Sequence, residues 1–133
     1  SNKAGLAFSN TKTAAAHAIS YPLTQYYGIP HGIAASMSLI PLLKINHDKI
    51  SNILKDINRI TNIRDSNELI NKIKDIPNGI INFSLKQWGV NESDIENTIL
   101  PNCFAPERME NNIIKLNLND VRNILSKIKI NYF

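Results

Sequence analysis

Isoleucine and leucine return at steps of three and four along most of this chain, and no sustained alternating apolar–polar pattern interrupts them. That property decides the fold class. A repeat of three and four lays apolar side chains along one face of a helix, whereas a half-buried strand needs a repeat of two. The clearest runs are Ile50, Ile53, Leu54, Ile57 and Ile60, with Lys55, Asp56 and Arg59 opposite, then Leu69, Ile70 and Ile73, and finally Val121, Ile124, Leu125 and Ile128. The sequence therefore reads as all-α, with six to eight helices joined by short loops and the isoleucine stripes turned into the core. Trp88 is expected at the core or its rim.

Prolines, glycines and short polar residues divide the pattern. Pro22 cannot donate to the carbonyl of Ala18, so a helix entering from Asn10 or Thr11 should end or kink there. Gly28 should close whatever helical turns follow, and Pro30 suits the first turn of a new helix, with His31 beside it. That helix should run to about Asn46 with Ile33, Met37, Ile40 and Leu43 inward, bent or ended by Pro41. Asp65 or Ser66 should cap the next, which stops before Pro77-Asn78-Gly79. A short helix is expected over Ile80, Ile81, Leu85 and Trp88, closed by Gly89. Asn91 or Ser93 should cap Asp94 to Leu100, ended by Pro101, and Asn119 should cap the last helix.

Composition excludes several classes of function. The chain has 133 residues, one domain's worth. Its formal charge of +4 is spread along helical repeats, and a single Trp is present. This is not the basic, aromatic-interleaved footprint of a nucleic-acid partner. No apolar run approaches a membrane span. Cys103 has no second cysteine to pair with and suits a reducing cytoplasm. Ser1-Asn2 reads as the scar of a cleaved tag, leaving residues 3–133 as a single all-helical domain.

The stretch from Ala7 to Met37 is not needed merely to bury a core. It holds two of the three histidines and three of the four tyrosines, and no acidic residue. His17 and His31 are fourteen positions apart, too far for a metal pair on adjacent turns of one helix. A straight helix from His17 to Tyr27 climbs about 15 Å, and the four steps on to His31 return at most roughly 14 Å. The two imidazoles can meet only if the chain doubles back, which Pro22 and the Gly28-Ile29-Pro30 corner allow. His47, in Asn46-His47-Asp48, is the third histidine; a loop or cap position suits it better than a ligand role.

These residues carry a resemblance. His17-x3-Tyr21-Pro22 followed by Ile29-Pro30-His31-Gly32 resembles the signature of the iron-containing (group III) alcohol dehydrogenases, H-x3-H-P followed by P-H-G. Phe8 and Asn10 match the A-F-x-N lead-in of that family. The likeness is strongest from Ala4 to Pro41. It implies the helical C-terminal domain of the dehydroquinate synthase-like / iron-containing alcohol dehydrogenase fold, with His17 and His31 binding the catalytic Fe²⁺ (or Zn²⁺). It implies hydride transfer between an alcohol or aldehyde and NAD(P), with the nucleotide-binding domain, which precedes this part in the family, as the partner. A homodimer is compatible with it. Neither that domain nor the family's D-x3-H pair of further ligands occurs in this chain, so the isolated chain is expected to be inactive and without bound NAD(P).

Two departures bear on chemistry. Tyr21 stands where the family has a histidine near the nicotinamide, implying a catalytic and cofactor-contacting position. A phenol can relay a proton by hydrogen bonding, although it is a weaker base than imidazole at neutral pH; alternatively Tyr21 only stacks there. Thr11-Lys12-Thr13 combines two hydroxyls, an ammonium and the amides of a helix start, a good anion site or a solvated turn. With Phe8 it would form part of the substrate pocket. The combination is similar to the branch of the family that reduces phosphonoacetaldehyde, implying a phosphonate-bearing aldehyde. Cys103 to Asn112 echoes a family segment ending in Asn-Pro, but Ile113 stands in the proline's place, and no site residue is expected there. Two other readings remain: a non-redox member of the same superfamily, and a non-catalytic helical interaction domain.

Overall fold

The stripe at Val121, Ile124, Leu125 and Ile128 folds as its spacing predicts, and all four side chains are at most 1 % exposed. The structure is a computed structural model describing residues 2–9, 12–81, 83–104 and 106–130, with the side chains of Ala4, Ala7, Phe8, Pro106 and Ile130 outside the description. Its helices in chain order are α1 (Asn2–Ser9), α2 (Ala15–Tyr27), α3 (His31–Met37), α4 (Leu39–Asn46), α5 (Ser51–Thr61), α6 (Ser66–Asp75), α7 (Glu92–Asp94), α8 (Leu100–Cys103), α9 (Pro106–Met109) and α10 (Leu118–Ile130). Two 3₁₀ turns, His47–Ile50 and Leu85–Trp88, and a π turn, Ile95–Ile99, complete the order, and no strand occurs among the described residues. The all-α reading holds, in more and shorter pieces than expected.

One hydrophobic core joins α2, α3, the α7–α8 segment and α10. Ile19, Leu23, Ile29, Met37, Ile95, Ile99, Leu125 and Ile128 are fully buried in it, and Trp88 packs at its edge. Cys103 is also buried, and desolvation pushes its thiol up to about 12, which makes it an inert packing residue.

Helix α2 runs through Pro22 instead of ending there. The lost bond to Ala18 and the ring's clash cost about 3 kcal/mol. Burying Ile19 on one side of the proline and Leu23 on the other stabilises by roughly 1.5–3 kcal/mol each, so packing carries the helix past it. The start of α2 also differs from expectation. Asn10 and Thr11 lie outside the described residues, and Ala14 occupies the cap position with extended backbone and no side-chain cap bond. The carbonyls of Lys12 and Thr13 instead accept from Asn111 Nδ2, at 2.7 and 3.4 Å, which holds that segment out of the helix.

The other prolines act locally. The helix expected from His31 to Asn46 divides at Ser38, before Pro41 itself, because a proline's ring collides with the carbonyl four residues back, here Met37, the last residue of α3. Pro41 then falls in the first turn of α4, where no intrahelical donor is needed. Pro101 lies inside α8 and does not end it; the π turn just before it absorbs the missing bond. Ile80 and Ile81 lie outside the short turn at Leu85–Trp88, which Gly89 does close in a left-handed conformation. Asp65 caps α6 as expected, accepting from the amides of Asn67 and Glu68. The last cap is Asn117, not Asn119: its Oδ1 accepts from Asn119 and Asp120, and Asp120 reciprocates to the Asn117 amide at 2.9 Å. Only the upstream position puts a carboxylate three residues on to close this capping box.

The stripe on α5 corrects the sequence reading most sharply. Leu54 is buried, but Ile53, Ile57 and Ile60 are 58, 38 and 77 % exposed. Periodicity says that one face of α5 is apolar; it does not say what covers it, and α5 with α6 stands outside the main core. Truncation should therefore separate two kinds of isoleucine-rich helix. Leu125→Ala should lower the unfolding free energy by about 2–5 kcal/mol, and Ile60→Ala by less than about 0.5 kcal/mol, as read by urea denaturation of the 133-residue chain. Comparable losses for both would mean that the α5 stripe is core.

Candidate functional site

The reversal between α2 and α3 builds the site. Gly28 adopts a left-handed conformation, φ 65°, and the amides of Gly28 and Ile29 turn back to the carbonyls of Thr24 and Leu23 at 3.2 and 3.4 Å. A residue with a side chain is strained at this φ. The chain then returns along α2 and enters α3 at His31, the first residue after Pro30. His31 thereby meets residues about two and three turns back from the corner. Its ring centre lies 5.3 Å from that of His17 and 5.5 Å from that of Tyr21.

Ser20 orients the pair. Its hydroxyl donates to the carbonyl of His17 at 2.8 Å, and its oxygen stands 3.5 Å from His31 Nδ1. With the hydroxyl proton committed to the carbonyl, the long contact to His31 favours a proton on Nδ1, leaving Nε2 with its lone pair free. His17 is held below the ordinary imidazole value by partial burial first, then by charge on His31 and on Arg108. Both effects keep an imidazole nitrogen available as a donor near neutral pH.

Arg108 on α9 is the residue that sequence reasoning missed. Its guanidinium carbon lies 4.3 Å from the centre of the Tyr21 ring, a cation–π contact. The segment after α9 is tied down by polar contacts. Asn46, nearly buried at the end of α4, accepts from the Ile114 amide at 3.2 Å and exchanges 3.3 Å bonds with Asn112. Asn111 reaches the carbonyl of Lys12. Ile113, by contrast, is exposed. The paired asparagines were the available signal here, and their long-range partners, Asn46 and Lys12, are 66 and 99 positions away.

The structure thus brings His17, His31 and Tyr21 together. Lys12 is exposed on the stretch leading into α2, and Thr13 beside it is half-buried. Thr11 and the Phe8 side chain lie outside the described residues. His47 is engaged elsewhere, with Asp48 and Ser66, each at 3.1 Å. No group of three His, Cys, Asp or Glu that could hold a metal occurs among the described residues, and no described helix is long and apolar enough to cross a membrane.

The fold and this pair define a helical domain organised around two imidazoles that converge at one point. The chain belongs to the Fe-containing alcohol dehydrogenase family, whose C-terminal part it matches over residues 1–129. It is 32 % identical over 101 residues to the 4-hydroxybutyrate dehydrogenase of Clostridium kluyveri, covering 72 % of this chain and 27 % of that protein. It is 28 % identical over 103 residues to the NADPH-dependent butanol dehydrogenase of Clostridium saccharobutylicum, covering 72 % and 26 %. A lactaldehyde reductase of Escherichia coli is 31 % identical over 61 residues, 46 % of this chain and 16 % of that one. The chain thus spans about a quarter of the length of the first two relatives. No solved structure matches it.

The His17 environment sets a pH dependence. A native group with depressed pKa takes up a proton less readily than in the unfolded chain. Its stabilising contribution is complete above the unfolded imidazole value and is lost as pH falls through that value toward the folded one. A proton-detected histidine titration should place His17 below the ordinary value near ~6.5, and Arg108→Gln should move it upward. A His17 that titrates at or above the ordinary value would contradict this account.

Proposed function

We propose that this chain supplies the metal-holding helical part of an NAD(P)-dependent alcohol dehydrogenase or aldehyde reductase. The observation that carries the reading is the meeting of the His17 and His31 rings, 5.3 Å between centres, across fourteen residues of chain. Two imidazoles on one tetrahedral divalent ion, each nitrogen about 2.1 Å from it, have ring centres roughly 5 Å apart. The pair fits Fe²⁺ or Zn²⁺ alike. Such a catalytic site uses about three protein ligands and an open position. The balance, with the nucleotide site, would come from a preceding nucleotide-binding part of the same enzyme, residues 3–133 forming the helical domain. A cytoplasmic enzyme is the compartment we propose.

A divalent ion held there supplies Lewis acidity toward the substrate oxygen, while the nicotinamide supplies or accepts hydride. The chain's own residues do the rest. His17 and His31 hold the ion as neutral imidazoles, and Ser20 keeps His31 in the tautomer that leaves Nε2 free. Tyr21 is 41 % exposed and beside His31; in this reading it contacts the cofactor and passes a proton between the substrate oxygen and water. Phe8, Thr11, Lys12 and Thr13 bind the far end of the substrate. We propose a short aldehyde or alcohol with an anionic tail, phosphonate or carboxylate, because Lys12 has no carboxylate partner among the described residues. The relative named for 4-hydroxybutyrate, itself a carboxylate, supports that class.

Removing either imidazole tests the centre. In the complete enzyme His17→Ala and His31→Ala should each lose bound metal and turnover, whereas the isolated chain should show no alcohol-dependent change in NAD(P)H absorbance. Stoichiometric metal and normal turnover in His31→Ala would end the assignment.

Lys12→Ala should raise KM for a phosphonate- or carboxylate-bearing aldehyde by roughly ten- to a hundredfold. It should leave a neutral aldehyde of similar length and the melting temperature nearly unchanged. Equal losses for charged and neutral substrates would place Lys12 on the cofactor or the fold instead.

A further inference from the structure

Of the four arginines in the chain, three form ion pairs: the exposed Arg59 with Asp56, the exposed Arg64 with Glu68, and the half-buried Arg122 with Glu96. Arg108 differs in its partner. It is half-buried, has no carboxylate partner among the described residues, and rests on an aromatic face. Glu107 and Glu110 flank it in sequence, yet neither forms an ion pair with it. A guanidinium in such a position has given up part of its hydration without gaining a counter-charge, which leaves it suited to receive one.

Its position narrows what it could receive. The ring beneath it, Tyr21, is the same ring that lies 5.5 Å from His31. One aromatic ring therefore separates the guanidinium from the histidine pair. Stacked on that face, the guanidinium keeps its N–H edges available, and those edges match the two oxygens of a carboxylate or phosphonate. No acidic residue lies anywhere from Ala7 to Met37 to compete for it. Asn111, three residues on, bonds the Lys12 carbonyl, so the segment that carries Arg108 is joined to the one that carries Lys12.

We infer that Arg108 is a substrate-selecting residue: its guanidinium binds the anionic end of a short aldehyde or alcohol whose oxygen is turned toward His17 and His31. This rests on the histidine pair being the reaction centre. It adds a charge-recognition point from the last quarter of the chain to the Lys12 segment at its start. The Tyr21 ring serves as the platform that holds the fork in place, and the tail, carboxylate or phosphonate, meets it edge-on.

The test compares wild type, Arg108→Gln and Arg108→Lys in the complete enzyme on 4-oxobutanoate, phosphonoacetaldehyde and butanal. For whichever charged aldehyde is the substrate, Arg108→Gln should raise KM by roughly ten- to a hundredfold, with kcat changing less and the KM for butanal changing much less than that for the charged aldehyde. Arg108→Lys should recover part of the loss, since it restores the charge but not the fork. An equal loss on butanal, a rise confined to the KM of the nicotinamide cofactor, or no change would overturn the inference. A second readout needs neither metal nor hydride transfer. Methylphosphonate and butyrate, added separately to the isotope-labelled 133-residue chain, should shift the Arg108 Nε–H and Tyr21 ring signals, and the one that does so identifies the tail. Shifts from neither would overturn the inference. If the enzyme reduces none of the three aldehydes while one anion still shifts Arg108, the oxidoreductase reading fails and the anion site stands. If turnover is normal and Lys12→Ala discriminates but Arg108→Gln does not, Arg108 fails and that reading stands.

Discussion

The left-handed turn at Gly28 is the constraint on which the rest of the site depends. A Cβ added there would meet no atom within 4 Å, so the requirement is one of backbone angle and not of space. The turn is locked from below: Leu23, before it, and Ile29, after it, are both fully buried in the main core. Any other exit from α2 would carry those two side chains away from their neighbours and His31 away from His17. The meeting of the two histidines and the core packing are thus determined by the same few residues, and the pair cannot loosen without disturbing the centre of the domain.

Charge is distributed differently at this end of the molecule than elsewhere. On the outer helices cations meet carboxylates, as in Arg64 with Glu68 at 2.9 Å or Arg122 with Glu96 at 2.7 Å, and such exposed pairs contribute little to stability. The described groups that act on the histidine pair, Ser20, Tyr21 and Arg108, are neutral or cationic. The effect on His17 follows directly: partial burial and neighbouring positive charge both disfavour its protonated form. A site of this character favours neutral donors toward a metal and anionic groups from a ligand.

The irregular chain between α9 and α10 shows how polar contacts can do what an apolar stripe does for a helix. Asn46 and Asn111 satisfy backbone groups on segments remote in sequence, Asn112 bonds Asn46 and the nearby Ile114 carbonyl, and together they bring α9 against the start of α2. Here the Asn-Pro echo in the sequence misleads in one respect. Ile113, in the proline's place, faces outward, and it is the asparagines before it that hold the segment.

Much of this could be read from the sequence alone. Spacing determines helical class, because a three-to-four repeat has no other stable use, and the α10 stripe, the Asp65 cap and the Gly28 and Gly89 stops follow from local backbone chemistry. The histidine pair was legible as a pattern, since Gly28 and Pro30 before His31 specify a corner. Tertiary structure decided what local chemistry cannot. Helix α2 continues through Pro22 because distant side chains bury Ile19 and Leu23, and the α5 isoleucines stay exposed because amphipathicity does not name a partner. Arg108 enters the site by virtue of contacts made across most of the chain, and no spacing rule within α9 could announce that its neighbour would be Tyr21.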